Sequence, residues 1–170
     1  MPNRIDSIVS QGMGKVKAVK ARLEGLTGVF QILAEQHGEV AALLSRARTS
    51  PEKRAELWPK IRVELLSHER GEVRELYPVL RAYPETLALA DNHDEEAREL
   101  EQLIGVLDTT LIASDAWAAE FDRLAEIVTA HAQDEENNIF PEALRVLGDE
   151  RAKQLEDKFL LAKRQVEMAV

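Results

Sequence analysis

One eleven-residue pattern occurs twice in this chain: His, three residues, Glu, three residues, Leu or Ile, an aromatic residue, Pro. The first copy runs His68-Glu69-Arg70-Gly71-Glu72-Val73-Arg74-Glu75-Leu76-Tyr77-Pro78. The second runs His131-Ala132-Gln133-Asp134-Glu135-Glu136-Asn137-Asn138-Ile139-Phe140-Pro141. Residues four apart share one helix face, one turn and roughly 6 Å of rise apart. Each copy therefore asks for a helix with a nitrogen donor and an oxygen donor on the same side. Such a pair can hold a metal ion and bridge it to a second one. The chain has 4 histidines, and two of them open these copies.

The surrounding sequence has the apolar spacing of helices nearly everywhere, with no alternating strand pattern. Four long helices are expected at about 28–47, 51–77, 85–112 and 115–140. Ser50-Pro51 supplies a cap and a proline at the first helical position. Pro78 and Pro141 read as helix stops. Short connections imply an up-down-up-down four-helix bundle. Additional helices are expected at about 4–24 and 149–168, so the organisation reads as an N-terminal extension (1–27), a bundle (28–145) and a C-terminal helix (146–170).

Each bundle helix carries one histidine, and each histidine falls on the apolar stripe of its helix. The stripes read Leu33, His37, Val40; Leu65, His68, Glu72, Leu76; Leu89, His93, Ala97, Leu100; and Val128, His131, Glu135, Ile139. A buried carboxylate costs several kcal/mol unless it is paired or coordinated. No Lys or Arg occupies these stripes as a partner. Convergence on a cation satisfies His37, His68, Glu72, His93, His131 and Glu135 together. The Leu76-Tyr77-Pro78 and Ile139-Phe140-Pro141 triplets are assigned to packing and helix termination. The Asp94-Glu95-Glu96 and Asp134-Glu135-Glu136 runs, Glu135 apart, read as solvated helix surface.

The donors are nitrogen and oxygen, because the chain has no cysteine; disulfides, iron–sulfur clusters and thiolate metal sites are excluded. Magnesium and calcium avoid imidazole. Six side chains suit two octahedral ions bridged by two carboxylates, with iron favoured and manganese or zinc as alternatives. The Glu-x-x-His spacing of ferritin-type bundles and the His-Glu-x-x-His motif of zinc proteases are both absent. A net charge of −9 argues against nucleic acid, although segment 1–25 alone carries +3. No apolar run approaches the length of a membrane span, and no secretory signal is seen, so the cytoplasm is the expected compartment.

With these residues in place, the chain resembles the hemerythrin-like family, the HHE cation-binding domain. The matching stretches are Gln36-His37-Gly38-Glu39-Val40, His68 through Glu72 with Leu76-Tyr77-Pro78, Asn92-His93-Asp94-Glu95-Glu96, and His131 through Pro141. The resemblance implies a non-haem diiron site with an oxo or hydroxo bridge. His37, His68, His93 and His131 would be terminal ligands, and Glu72 and Glu135 would bridge. Oxygen-carrying members have a further histidine where this chain has Ala97. Glu69 is the best-placed substitute, with Glu96 and Glu136 weaker. The loss of that histidine favours reaction with a small oxidant (O2, peroxide or NO), as in a redox or stress response, over reversible oxygen carriage. The alternative is an iron- or oxygen-responsive sensor, or a storage protein. In the sensor reading the terminal helices contact a partner or a second copy.

Overall fold

A computed structural model describes residues 25–170. The expected helical region at 4–24 lies outside the described residues. α1 spans Val29–Thr49, and a 3-10 turn at Pro51–Lys53 leads into α2, Arg54–Gly71. A π segment, Glu72–Leu76, joins α2 to α3, Tyr77–Leu80. Then follow α4 (Pro84–Ala90), α5 (His93–Thr109) and α6 (Asp115–Asp134). A second π segment, Glu135–Ile139, joins α6 to α7, Phe140–Glu167. The fold is an all-α helical bundle, and no strand occurs among the described residues.

Two expected helix stops do not act as stops. Pro78 and Pro141 sit in the first turn of α3 and α7, and the helical path runs through both. A proline inside a helix removes one N–H and drives its ring into the carbonyl four residues back. Here the turn before each proline is widened to the π form. The Tyr77 N–H bonds the Glu72 carbonyl, and the Phe140 N–H bonds the Glu135 carbonyl. The extra residue in the turn moves the offending carbonyl away from the ring. The break in the second rod comes later, at Gly148, whose φ of 77° is a left-handed value. The expected helix from 85 to 112 is also interrupted. It turns at Asp91 and Asn92, and His93 opens α5 with the Asn92 carbonyl accepting from Glu95 and Glu96.

The apolar core forms two clusters. One gathers Val40, Leu44, Ile61, Leu65, Leu100, Ile104, Trp117 and Leu124. The other gathers Phe30, Leu33, Leu76, Tyr77, Ile139, Phe140 and Phe159. Each fully buried side chain of this size contributes about 1.5–3 kcal/mol. The Ser114 hydroxyl accepts from the Trp117 N–H at 3.1 Å, which caps α6 and seats Trp117 against Phe121, ring centroids 4.8 Å apart. Along α1, Leu33 belongs to one cluster and Val40 to the other, with His37 between them. On the α2 rod, Leu65 and Leu76 bracket His68 and Glu72 in the same way. The histidines thus occupy a polar layer that separates two dry ones. After Gly148, α7 folds back along α1 and α2. Gly28 permits that approach, because a Cβ there would lie 2.4 Å from the Ala152 carbonyl carbon.

Candidate metal centre

The polar layer brings all six sequence-predicted residues together, and Glu69 with them. Their donor atoms fall into two groups, Glu69, Glu72, His93 and His131 in one, and His37, His68 and Glu135 in the other. Each copy of the repeated pattern feeds both groups. Its imidazole enters one and its fourth-following carboxylate is counted with the other. The carboxylates also reach across. Glu72 Oε2 lies 3.4 Å from His68 Nε2 and 3.6 Å from His93 Nε2. Glu135 Oε2 lies 3.2 Å from His37 Nε2, while its Oε1 is 3.5 Å from His131 Nε2. Glu69 is 5% exposed and sits 3.5 Å from His131 Nε2 and 3.7 Å from His93 Nε2.

Three of the four rings are held by their outward nitrogen. His37 Nδ1 meets Glu136 at 2.9 Å, His68 Nδ1 meets Gln36 at 3.0 Å, and His131 Nδ1 meets Glu96 at 3.0 Å. A partner on Nδ1 fixes ring orientation and leaves Nε2 as the donor toward the centre. On the inward side, His37 Nε2 and His68 Nε2 lie 3.2 Å apart in hydrogen-bond contact, and several other atoms are left over. Both Glu72 oxygens, both His93 nitrogens, His131 Nε2 and Glu135 Oε2 are buried without a hydrogen-bond partner. Buried polar atoms are normally satisfied, so a cluster of orphans made only of carboxylate oxygens and imidazole nitrogens fits a cation.

The hemerythrin HHE cation binding domain matches residues 28–143. The chain belongs to that family. A DNA nickase of Nostoc sp. (strain PCC 7120 / SAG 25.82 / UTEX 2576) is 27% identical over 144 residues, which make up 82% of this chain and 40% of the nickase. The chain therefore spans well under half of that relative, whose nicking activity is a statement about the longer protein. No solved structure matches the chain.

For a hemerythrin-like centre, the electrostatics without a cation are strained in the way coordination relieves. Burial, then the Glu135 charge, pushes the Glu72 carboxyl well above the usual range. Burial likewise raises Glu69, to about 7, against the pull of His131. Burial also works upward on Glu135, but His131 and His37 outweigh it and hold that carboxyl well below the ordinary value. Burial lowers His93 to about 4. For His131 burial works downward and is overcome by Glu135 and Glu96, which lift it to about 10. A divalent cation supplies the charge that these buried carboxylates lack.

Sequence reasoning missed several residues here. Tyr77, assigned chiefly to packing and helix termination with reach of its hydroxyl to the site as the minor reading, is fully buried, and its hydroxyl donates to Glu135 Oε1 at 2.6 Å. Its ring stacks on His93 with centroids 3.3 Å apart. In a regular helix, residues five apart are displaced by about 140° around the axis. The π turn stacks Tyr77 over Glu72 instead. The same turn puts Phe140 parallel to His37, centroids 5.9 Å apart. The signal was the proline that follows each aromatic residue inside a continuous apolar period. Glu96 and Glu136, read as solvated surface or as weaker substitutes for the absent histidine, and Gln36 are the Nδ1 partners named above. Gln36 and Glu136 neighbour His37 and Glu135 in sequence but serve a histidine on another helix, which spacing alone does not reveal.

Among the described residues, no helix is long and apolar enough to cross a membrane.

Proposed function

We propose that the protein is a non-haem diiron protein that binds or reacts with a small oxidant, O2, peroxide or NO. The observation that supports this is the division of one buried layer into two donor groups that share the reach of Glu72 and Glu135. In this reading His93, His131, Glu69 and Glu72 hold one ion, and His37, His68 and Glu135 hold the other. Glu72 and Glu135 span both, and Glu69 takes the place of the histidine absent at Ala97. Iron, when bound, supplies redox equivalents and a position for the small ligand.

The chain's own residues supply the setting. The apolar clusters on either side exclude water. The Nδ1 partners hold the Nε2 atoms of His37, His68 and His131 inward. The Tyr77 hydroxyl, kept protonated by burial and then by the Glu135 charge, holds Glu135 in place and is a buried proton source beside His93.

A second reading, an iron- or oxygen-responsive sensor, draws on one observation. The Phe159 ring of α7 packs edge-on to His68, centroids 6.0 Å apart, and against Gly71, where a Cβ would lie 2.8 Å from it. A shift of His68 on metal binding is thereby felt in the C-terminal helix.

The deciding experiment loads metal-free protein with Fe(II) under anaerobic conditions, then adds O2, peroxide or NO. The oxidant reading expects two irons per chain and an absorption spectrum that changes with at least one of them. A spectrum indifferent to all three rules that reading out. Hydrogen-exchange changes confined to α7 on loading would then favour the sensor.

A further inference from the structure

A cavity of about 340 Å³ opens between α5 and α6, and its polar wall is Glu69, Glu96, Glu99, His131 and Asp134. Leu100, Ile127 and Val128 form the apolar side, and no Lys or Arg lines it. Arg123 holds Glu99 from the solvent side at 3.0 Å, where both side chains are more than half exposed. The cavity ends on the metal layer. Glu69 closes it while remaining almost fully buried, and His131, also in its wall, carries a buried Nε2 that has no hydrogen-bond partner. Of the two donor groups, only Glu69 and His131 line it; Glu72, His93, His37, His68 and Glu135 do not.

We propose that this cavity is the port through which a divalent metal cation enters the centre, with Glu69 the first buried carboxylate to receive it. The proposal rests on the reading that the centre holds metal. Its four carboxylates outnumber its one imidazole, so the cleft is net negative, and a cleft with one prevailing sign of charge over a low-dielectric wall focuses the field and concentrates counter-ions, which raises association rates by about 10- to 1,000-fold. Glu96, Glu99 and Asp134 stand at the outer end, where a cation keeps its water. Glu69 stands at the inner end, next to imidazole nitrogens that replace that water. An uncharged oxidant has no use for such a row of carboxylates, whereas a cation does. The group with His93 and His131 therefore fills first, and the group with His37 and His68, which does not line the cavity, receives its ion through Glu72 and Glu135, which reach both.

The test is Co(II) uptake by the metal-free full chain, followed by stopped-flow absorption, with final metal content measured separately. E99Q/D134N removes two charges at the mouth without touching a donor. It should slow uptake about 3- to 10-fold, flatten the dependence on ionic strength, and reach the wild-type metal content. V128F, which narrows the passage, should slow uptake while keeping the salt dependence. NO binding to pre-loaded E99Q/D134N should proceed at the wild-type rate, because NO carries no charge. Wild-type uptake rates and salt dependence in E99Q/D134N would overturn the port. Failure of the wild type to take up any metal would instead overturn the metal reading itself.

Discussion

The two copies of the repeated pattern share a backbone and differ in chemistry. Both carry a carboxylate at the start of a π turn and an aromatic ring at its end. The first copy adds two polar groups that the second lacks. Glu69 occupies the position matched by Ala132, and the Tyr77 hydroxyl has no counterpart on Phe140. Both additions point to the same side of the centre, toward His93 and His131. Two members of the half that gathers four donors, Glu69 and His131, line the cavity, which makes this the open half; His37, His68 and Glu135 do not line it. The repeat thus builds a nearly two-fold scaffold, and a few unmatched side chains make it directional.

The largest test of this comparison removes the shared carboxylates. E72A and E135A should each cost the second metal, leaving at most one ion per chain by elemental analysis. Two ions retained in either variant would break the bridging assignment. The same positions behave differently without metal. Glu72 is buried with neither oxygen satisfied, so an apolar E72L should stabilise the metal-free protein by about 1–4 kcal/mol. Chemical denaturation in a chelator measures it. Destabilisation there would mean that Glu72 has a protein partner rather than a cation.

The response to pH separates the metal-free state from the loaded one. His131 is raised from 6.5 to about 10, the downward effect of burial being outweighed by Glu135 and Glu96. A histidine whose folded pKa is raised contributes stability that is complete below 6.5 and lost as pH rises through the folded value. Glu69, raised to about 7, has the same sign and is lost over a lower range. The metal-free protein should therefore melt at a lower temperature at pH 9 than at pH 7. Metal displaces these protons, so the loaded protein should lose that decline and release protons on loading at neutral pH. Equal slopes with and without metal would break the assignment of His131 and Glu69 to the centre.

The convergence of the candidate donors was legible in the sequence because ligation needs residue types that are out of place on an apolar stripe. Four histidines on four stripes, two with a carboxylate one turn on, left few arrangements open. Glu69 was legible for the same reason, three residues before Glu72. The π turns were not, because the pattern that encodes them ends in a proline, which ordinarily ends a helix. Reading Pro78 and Pro141 as stops hid the rotation that brings Tyr77 and Phe140 over their histidines. The break before His93 was equally hidden, since the apolar spacing of Leu89, His93 and Ala97 continues straight through Asp91 and Asn92.

The aromatic pair gives an exchange experiment. Y77F removes a hydrogen bond to a charged group, worth about 1.5–3 kcal/mol, and frees Glu135 Oε1 of its only hydroxyl donor among the described hydrogen bonds. F140Y places a hydroxyl into the fully buried position beside His37, at a cost of about 1–3 kcal/mol if it finds no acceptor. Denaturation curves should show both variants weakened. Only Y77F should alter the absorption spectrum of the iron-loaded protein, since only Tyr77 contacts a donor through its hydroxyl. A spectral change in F140Y alone would reverse the direction assigned to the centre.

The smallest effect is expected at the Nδ1 partners, where the comparison becomes one of burial. Glu136 holds His37 with a side chain 10% exposed, and Glu96 holds His131 with one 54% exposed. Loss of such an outer partner ordinarily weakens metal affinity by about 10- to 100-fold. Water can replace the Glu96 carboxylate at the open half but has little access to the Glu136 position. E136Q should therefore lie toward the upper part of that range, and E96Q at or below its lower end, by competition with a chelator of known affinity. If E96Q is the more damaging, then His131 depends on its carboxylate for more than orientation, and the open half is the more tightly built of the two.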